Sequence, residues 1–191
     1  MNPHIIESAI TAYPICDYAF IQIKDIPFKE EVRHICKTEC QRYGKSWSCP
    51  PAVGTIEECR SRCEEYEGGF LFTTMTEVPD IEDLEGMLAT RTEHEEITRR
   101  IRDVFLKENQ EVLVLSTESC AVCEHCTYPD APCRFPNRMF PSIEGYGILV
   151  TGLADQCGIA FLNGNNLVTW FSLILYRTPW SADRRAAFKQ E

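Results

Sequence analysis

The stretch "EVLVLSTESCAVCEHC", residues 111–126, joins an apolar run to the start of a cysteine cluster. In its first half, valine and leucine occupy successive positions, so both faces of the segment are apolar. This pattern is typical of an interior strand that is covered on both sides. Its second half places Cys120, Cys123 and Cys126 in a polar loop directly after that strand. We therefore expect a central strand that delivers cysteines to one end of a sheet.

Strands and helices alternate outward from this segment. Further strand patterns lie at residues 16–26, 68–78 and 165–176, and helical patterns lie at 28–36, 55–66, 80–109 and 141–158. Thr55 followed by Glu58 is the signature of a capping box at a helix start. The helix at 141–158 is expected to be interrupted at Gly145 or Gly147.

The longest predicted helix carries apolar residues at helical spacing: Ile81, Leu84, Leu88, Ile97, Ile101, Val104 and Phe105. Together these elements predict an α/β or α+β fold. We expect a single compact metal-binding domain over residues 1–191, with a roughly four-stranded sheet flanked by helices and two cysteine-rich loops at element ends.

Composition narrows the function classes. The net charge of −10 argues against a nucleic-acid partner. The N-terminus lacks the pattern of a signal peptide, and residues 167–176 form an apolar stretch of only about half a membrane span. We expect a soluble, cytoplasmic chain that does not bind membranes. In a reducing compartment, eleven cysteines indicate metal binding or catalysis more than disulfides.

The second cysteine loop, "CAVCEHCTYPDAPCRFP" at residues 120–136, has the stronger spacing signal. Cys120, Cys123 and Cys126 follow a C-x2-C-x2-C pattern, and Cys133 comes later in the loop. Bacterial ferredoxins use this spacing to wrap an iron–sulfur cube, whereas zinc sites usually present two separated C-x2-C pairs. The spacing predicts a 4Fe–4S cluster, with zinc as the alternative. Arg134 is a candidate donor to cluster sulfurs or to a bound anion.

The first cysteine loop, "CKTECQRYGKSWSCPP" at residues 36–51, fits no common metal spacing by itself. We predict Cys36, Cys40 and Cys49 as ligands, with Lys45 offsetting charge or binding an anion. Three thiolates without a fourth would leave one iron open as a Lewis acid.

The remaining cysteines and histidines carry weaker predictions. Cys59 or Cys63, four residues apart on a predicted helix, is a candidate fourth ligand of the first loop, but the pair also fits a buried helix face. We assign Cys16 and Cys157 to the core. His4 and His94 are expected at the surface, and His34 and His125 lie beside the cysteine loops.

The two cysteine loops, with the following "PSIEGYGI", resemble a family of cysteine-rich, predicted metal-binding proteins of unknown function found mainly in anaerobic bacteria and archaea. The resemblance extends from about Cys36 to Gly158. It implies metal binding by the seven loop cysteines and includes Trp47, Arg134 and Pro136. Phe140 departs from the pattern, since that position is more often basic in the family. The resemblance implies no particular reaction.

Three functions are compatible with these features. The first is a redox protein with one or two 4Fe–4S clusters that exchanges electrons with a partner protein. The second is an enzyme whose open iron, held by Cys36, Cys40 and Cys49, acts on a small anionic or sulfur-containing substrate clamped by Lys45 or Arg134. The third is an interaction module stabilised by structural zinc. The sequence does not specify the oligomeric state.

Overall fold

One antiparallel sheet of four strands forms the centre of the protein. In this computed structural model, which describes residues 2–80, 82–108 and 110–179, the strands are β1 (Tyr18–Ile21), β2 (Gly68–Glu77), β3 (Glu111–Ser116) and β4 (Leu167–Arg177). Their spatial order is β1-β2-β4-β3, and every neighbouring pair is antiparallel. The two long strands pair along their whole length, from Gly68 opposite Tyr176 to Glu77 opposite Leu167.

The prediction of a central strand at residues 111–117 was wrong, because β3 lies at the edge of the sheet beside β4. Its apolar residues nevertheless point to both faces. Leu115 belongs to one hydrophobic cluster and Val114 to another, on opposite sides of the sheet. The two-sided apolar pattern therefore indicates that residues pack on both faces of the strand. It does not indicate whether the strand has a hydrogen-bonded neighbour at both of its edges.

Five helices surround the sheet: α1 (Pro3–Ile10), α2 (Glu30–Thr38), α3 (Ile56–Glu64), α4 (Leu84–Lys107) and α5 (Val150–Cys157). The four predicted helices are confirmed, and Thr55 and Glu58 form the expected capping box of α3. The predicted interruption is also present, since a 3₁₀ turn at Glu144–Tyr146 ends at Gly147, whose φ of 82° favours glycine. Helix α1 was not predicted. Residues 81 and 109, at the ends of the longest predicted helix, lie outside the described residues.

The two faces of the sheet bury separate cores, so the fold is of the α+β class with helices on both sides. Leu71, Leu115 and Leu173 pack against the α3–α5 layer, which we define as α3, α5 and the 3₁₀ turn. Phe70, Phe72 and Ile174 pack against the α4 layer, which consists of α1 and α4. Burial of such side chains stabilises the fold by about 1.5–3 kcal/mol each. Helix α2 packs on the 3₁₀ turn.

The buried face of α4 is unexpectedly polar around its middle. Leu84, predicted to be part of the apolar stripe, is 56% exposed, whereas Arg91, His94, Glu95 and Thr98 are buried. We expected His94 at the surface, but it is buried. Burial lowers its pKa to about 4. Its two ring nitrogens lie 2.8 Å from hydroxyl oxygens of Thr74 in β2 and Ser172 in β4.

Candidate metal centre

The first cysteine loop begins at the last turn of α2. Cys36 lies inside this helix, Cys40 follows its end at Thr38, and Cys49 lies in the turn before Pro50. The three thiols line one cavity of about 220 Å³. The other lining side chains include two carboxylates and one guanidinium: Glu118, Glu144 and Arg42. The predicted first-loop ligands are therefore brought together.

Backbone and arginine hydrogen bonds hold the first loop in place. The Arg33 guanidinium donates to the carbonyl oxygens of Gly145 and Gly54, the latter at 2.7 Å, and so ties α2 to the 3₁₀ turn and to the loop before α3. The Gly44 N–H donates to the Pro50 carbonyl at 2.9 Å, and Gly44 adopts a φ of 68°. This link closes the turn that contains Cys49.

The second cysteine loop follows β3. Cys120, Cys123, Cys126 and Cys133 line a second, much smaller cavity of about 20 Å³, about the space of one water molecule. Arg134 also lines it, and its guanidinium donates to the His125 carbonyl at 2.8 Å. All four predicted ligands of this loop therefore converge, and Arg134 braces the loop internally.

Three residues of the first loop connect the two cavities. We call Ser46–Ser48 the inter-loop strap. The Ser48 hydroxyl oxygen accepts a hydrogen bond from the Cys120 N–H at 2.8 Å and lies 3.6 Å from the Cys49 sulfur. The strap residues Ser46 and Trp47 also line the second cavity. One side chain thus contacts a cysteine of each loop.

Trp47 strengthens this connection. Its indole N–H donates to the Ala131 carbonyl at 3.1 Å, and its ring meets Tyr128 edge to face with centroids 4.9 Å apart. Such aromatic pairs contribute about 0.5–1.5 kcal/mol beyond the area that they bury. The isolated tryptophan of the sequence therefore serves as a docking point for the second loop.

Helix α4 supports the second loop from the opposite side. The buried Glu95 carboxylate accepts a hydrogen bond from the Ala121 N–H and pairs with Arg99 at 2.9 Å and Arg91 at 3.7 Å. The Arg99 guanidinium lies 5.6 Å from the centroid of the Phe140 ring. At position 140, where related chains were expected to carry a basic residue, this protein has a buried phenylalanine. The guanidinium groups of Arg99 and Arg102, both from α4, lie over its ring.

Burial and crowding shape the ionisation of the thiols. Burial is the main cause that raises the pKa of Cys36, Cys49 and Cys120 to about 11 each, and neighbouring negative groups add to it. Cys126 differs. Partial burial raises its pKa, but backbone N–H groups of Tyr128 and Trp47 donate hydrogen bonds that lower the pKa below its usual value. A bound cation would offset the mutual repulsion of these thiolates.

Of the two predicted anion-binding residues, one lies at a cysteine cavity and the other does not. Lys45 is exposed and lines neither cavity, while Arg134 lines only the second. Their roles in anion binding stay predictions. Sequence reasoning missed Arg42, the cation at the first cavity, and it also missed Glu118 and Glu144. Proximity to Cys120 along the chain was the available signal for Glu118.

The four other cysteines fall into two groups. Cys59 and Cys63 are fully buried in the core beneath α3, in agreement with the alternative of a buried helix face, and neither lines the cysteine cavities. Cys16 is exposed, so its assignment to the core was wrong. Cys157 is half-buried at the margin of the α3–α5 core.

The donor set consists of cysteine thiols, which are ligands of both iron–sulfur clusters and zinc. Over residues 2–80, 82–108 and 110–179, no three Cys, His, Asp or Glu side chains are arranged to hold one metal ion. The seven thiols instead surround two spaces. Soft thiolates are the usual ligands of iron–sulfur clusters, and in a 4Fe–4S cube each cysteine sulfur binds a different iron atom. The first cavity offers room for such a group. The second, at about 20 Å³, would have to widen around one, so the support for a cluster there comes from the cysteine spacing.

Within the described part of the chain, no helix has the length and apolarity needed to cross a membrane.

Comparisons with known proteins give one positive result. No curated protein matches the sequence, and no solved structure matches the fold. The family model described as "Predicted metal-binding protein (DUF2284)" matches residues 19–176, which include both cysteine loops and all four strands except the first residue of β1 and the last of β4. The chain therefore belongs to this family of predicted metal-binding proteins.

Proposed function

We propose that this protein binds two 4Fe–4S clusters, one in each cysteine loop, and transfers electrons to or from a protein partner. The observation that carries the proposal is the division of seven thiols between two adjoining cavities. Three line the first and four line the second, with the inter-loop strap between them. Seven clustered thiols divided in this way exceed what one tetrahedral ion needs.

The strap supports electron exchange between the two sites. Cys49 and Cys120 are linked through the Ser48 hydroxyl group by contacts of 3.6 Å and 2.8 Å. Electron transfer rates fall steeply with distance, so such close connection favours rapid exchange. Bound clusters would supply one-electron redox chemistry. The chain's own residues position the ligands and restrict water, since Cys49, Ser46 and Ser48 are buried.

A partner with a basic docking face fits the charge of the chain. The net charge is −10, and each oxidised cube with four thiolates would add about two negative charges. Glu124, in the second loop, has a side chain that is 92% exposed. Charge complementarity of this kind mainly increases association rates and is weakened by salt.

An enzymatic function is the second candidate, and the composition of the first cavity favours it. Three thiols, a guanidinium and about 220 Å³ of space would suit an open iron with a small anionic or sulfur-containing substrate. Arg42 is better placed than Lys45 to contact such a substrate, because only Arg42 lines the cavity.

Metal and sulfide analysis tests the proposal. Protein purified anaerobically is expected to be brown, to contain iron and acid-labile sulfide, and to give a paramagnetic resonance signal of 4Fe–4S type on reduction. A colourless preparation with stoichiometric zinc and no sulfide would establish the zinc module instead. A signal that changes on addition of a small thiol or anion, together with turnover, would favour the enzyme.

A further inference from the structure

The first cysteine loop offers three thiols, so a cube bound there needs a fourth ligand from elsewhere. Cys59 and Cys63, the candidates from the sequence, are fully buried under α3 and line neither cavity. The Cys59 sulfur instead contacts the Val53 carbonyl oxygen at 3.4 Å. The fourth ligand therefore has to come from another side chain of the cavity wall or from solvent.

Two carboxylates line the cavity, and they differ in how they are held. The Glu144 carboxylate accepts hydrogen bonds from the Ser142 hydroxyl, at 2.8 Å, and from the Glu118 backbone N–H. Both bonds fix its position and use part of its hydrogen-bonding capacity. The Glu118 carboxylate, in contrast, has no hydrogen-bond or ion-pair partner among the residues that the structure describes. Its negative charge reaches both Cys36 and Cys49.

The backbone at Glu118 is unusual. Its φ is 64°, and no other non-glycine residue in the described ranges has a positive φ. Residues with a Cβ rarely adopt this backbone conformation, and it gives the Glu118 side chain a different direction from that of a residue in an extended strand. The hydrogen bond from its N–H to Glu144 holds it there.

We propose that the Glu118 carboxylate is the fourth ligand of the cluster bound by Cys36, Cys40 and Cys49, and that Glu144 is the residue that positions it. This inference rests on the proposed function. Because Glu118 stands two residues before Cys120, the first site then includes a ligand from the segment that carries the second. A carboxylate preserves the charge of a thiolate but is a harder ligand, so the iron that it binds is the most readily exchanged.

The test uses anaerobically reconstituted protein enriched in ⁵⁷Fe, with the metal content and Mössbauer spectrum as readouts. Wild-type protein is expected to show one iron that differs from the thiolate-bound ones. Glu118→Cys should retain all iron and lose that distinct signal. Glu118→Gln should lose about one iron in four from the first cluster on mild oxidation. Glu118→Gly provides the same test, and glycine tolerates the positive φ of this position.

Two controls identify the residue. Glu93→Gln removes an exposed acid of α4, outside both loops, and should leave the spectrum unchanged. Glu144→Gln should broaden the distinct signal without removing its iron. If Glu118→Cys and Glu118→Gly retained the wild-type spectrum and iron content, Glu118 would not be the ligand. Zinc without sulfide in wild-type protein would instead overturn the proposed function itself, so the two failures are distinguishable.

Discussion

The two cysteine loops are supported by opposite sides of the same sheet. The first loop extends from α2 and is tied by Arg33 to the 3₁₀ turn of the α3–α5 layer, and several of its residues are buried. The second loop rests on α4 through Glu95, and most of its residues are exposed. The sites meet at the inter-loop strap and at Glu118, which lines the first cavity from the segment that carries the second loop. The first cavity thus lies among buried loop residues beside α2 and the 3₁₀ turn, while the second lies in an exposed loop that is held by Glu95 and Trp47.

The largest expected effect comes from removing ligands loop by loop. Cys123→Ser should abolish the cluster of the second loop and lower iron and sulfide by about half, since each site would hold one cube. Cys40→Ser should remove a comparable amount from the first loop. Iron analysis with paramagnetic resonance checks both. Cys16→Ser, at an exposed position outside both cavities, is the control and should retain full iron. Equal loss in the control would contradict the division of the cysteines.

Breaking the α4 support should destabilise the fold and act first on the second loop. Glu95→Gln leaves the buried Arg91 without a carboxylate and Arg99 with only the exposed Glu96, and the loss of one partner of a buried pair costs about 3–5 kcal/mol. Glu96→Gln is the matched control, because its side chain is 52% exposed and its pairs contribute less than about 1 kcal/mol. Chemical denaturation measures both. Similar losses in the two variants would show that burial of Glu95 is unimportant.

Acid should weaken the α4 layer through His94. Its folded pKa of about 4 lies below the usual value of 6.5, so the unfolded chain binds the additional proton between these pH values. The contribution of His94 is therefore complete above pH 6.5 and is lost as the pH falls toward 4, by up to about 3 kcal/mol. Unfolding free energies at pH 7 and pH 4.5 should differ less in His94→Gln than in the wild type. An identical pH dependence in both proteins would argue that His94 is not buried as a neutral ring.

The smallest expected effect concerns the strap. Ser48→Ala removes the acceptor of the Cys120 N–H and should cost about 1 kcal/mol. Because Ser48 contacts a cysteine of each loop, the spectra of both sites should shift, unlike the one-sided effects of the ligand variants. Ser61→Ala, on the exposed face of α3, is the control. A shift confined to one site would show that the strap serves one loop only.

Local chemistry explains which features the sequence predicted. The cysteine spacings, the capping box at Thr55 and the break at Gly147 depend on neighbouring residues, and each was recognised. The edge position of β3 and the burial of His94 were missed because they depend on partners far along the chain. Ser172, which contacts the His94 ring, is 78 residues away. Glu118 was missed because its significance lies in an unusual φ and in a cavity formed by residues from the first loop.

The placement of β4 has a consequence for how the protein is made. This strand fills the gap between β2 and β3, and its pairing with β2 joins residues about a hundred positions apart. Chains are synthesised from the N-terminus, so every cysteine of both loops leaves the ribosome before the middle of the sheet exists. Until then, neither layer has its full sheet to pack on, and the strap has no fixed platform. We therefore expect the two cavities to be completed late, and any group that they hold to enter after β4 has been made.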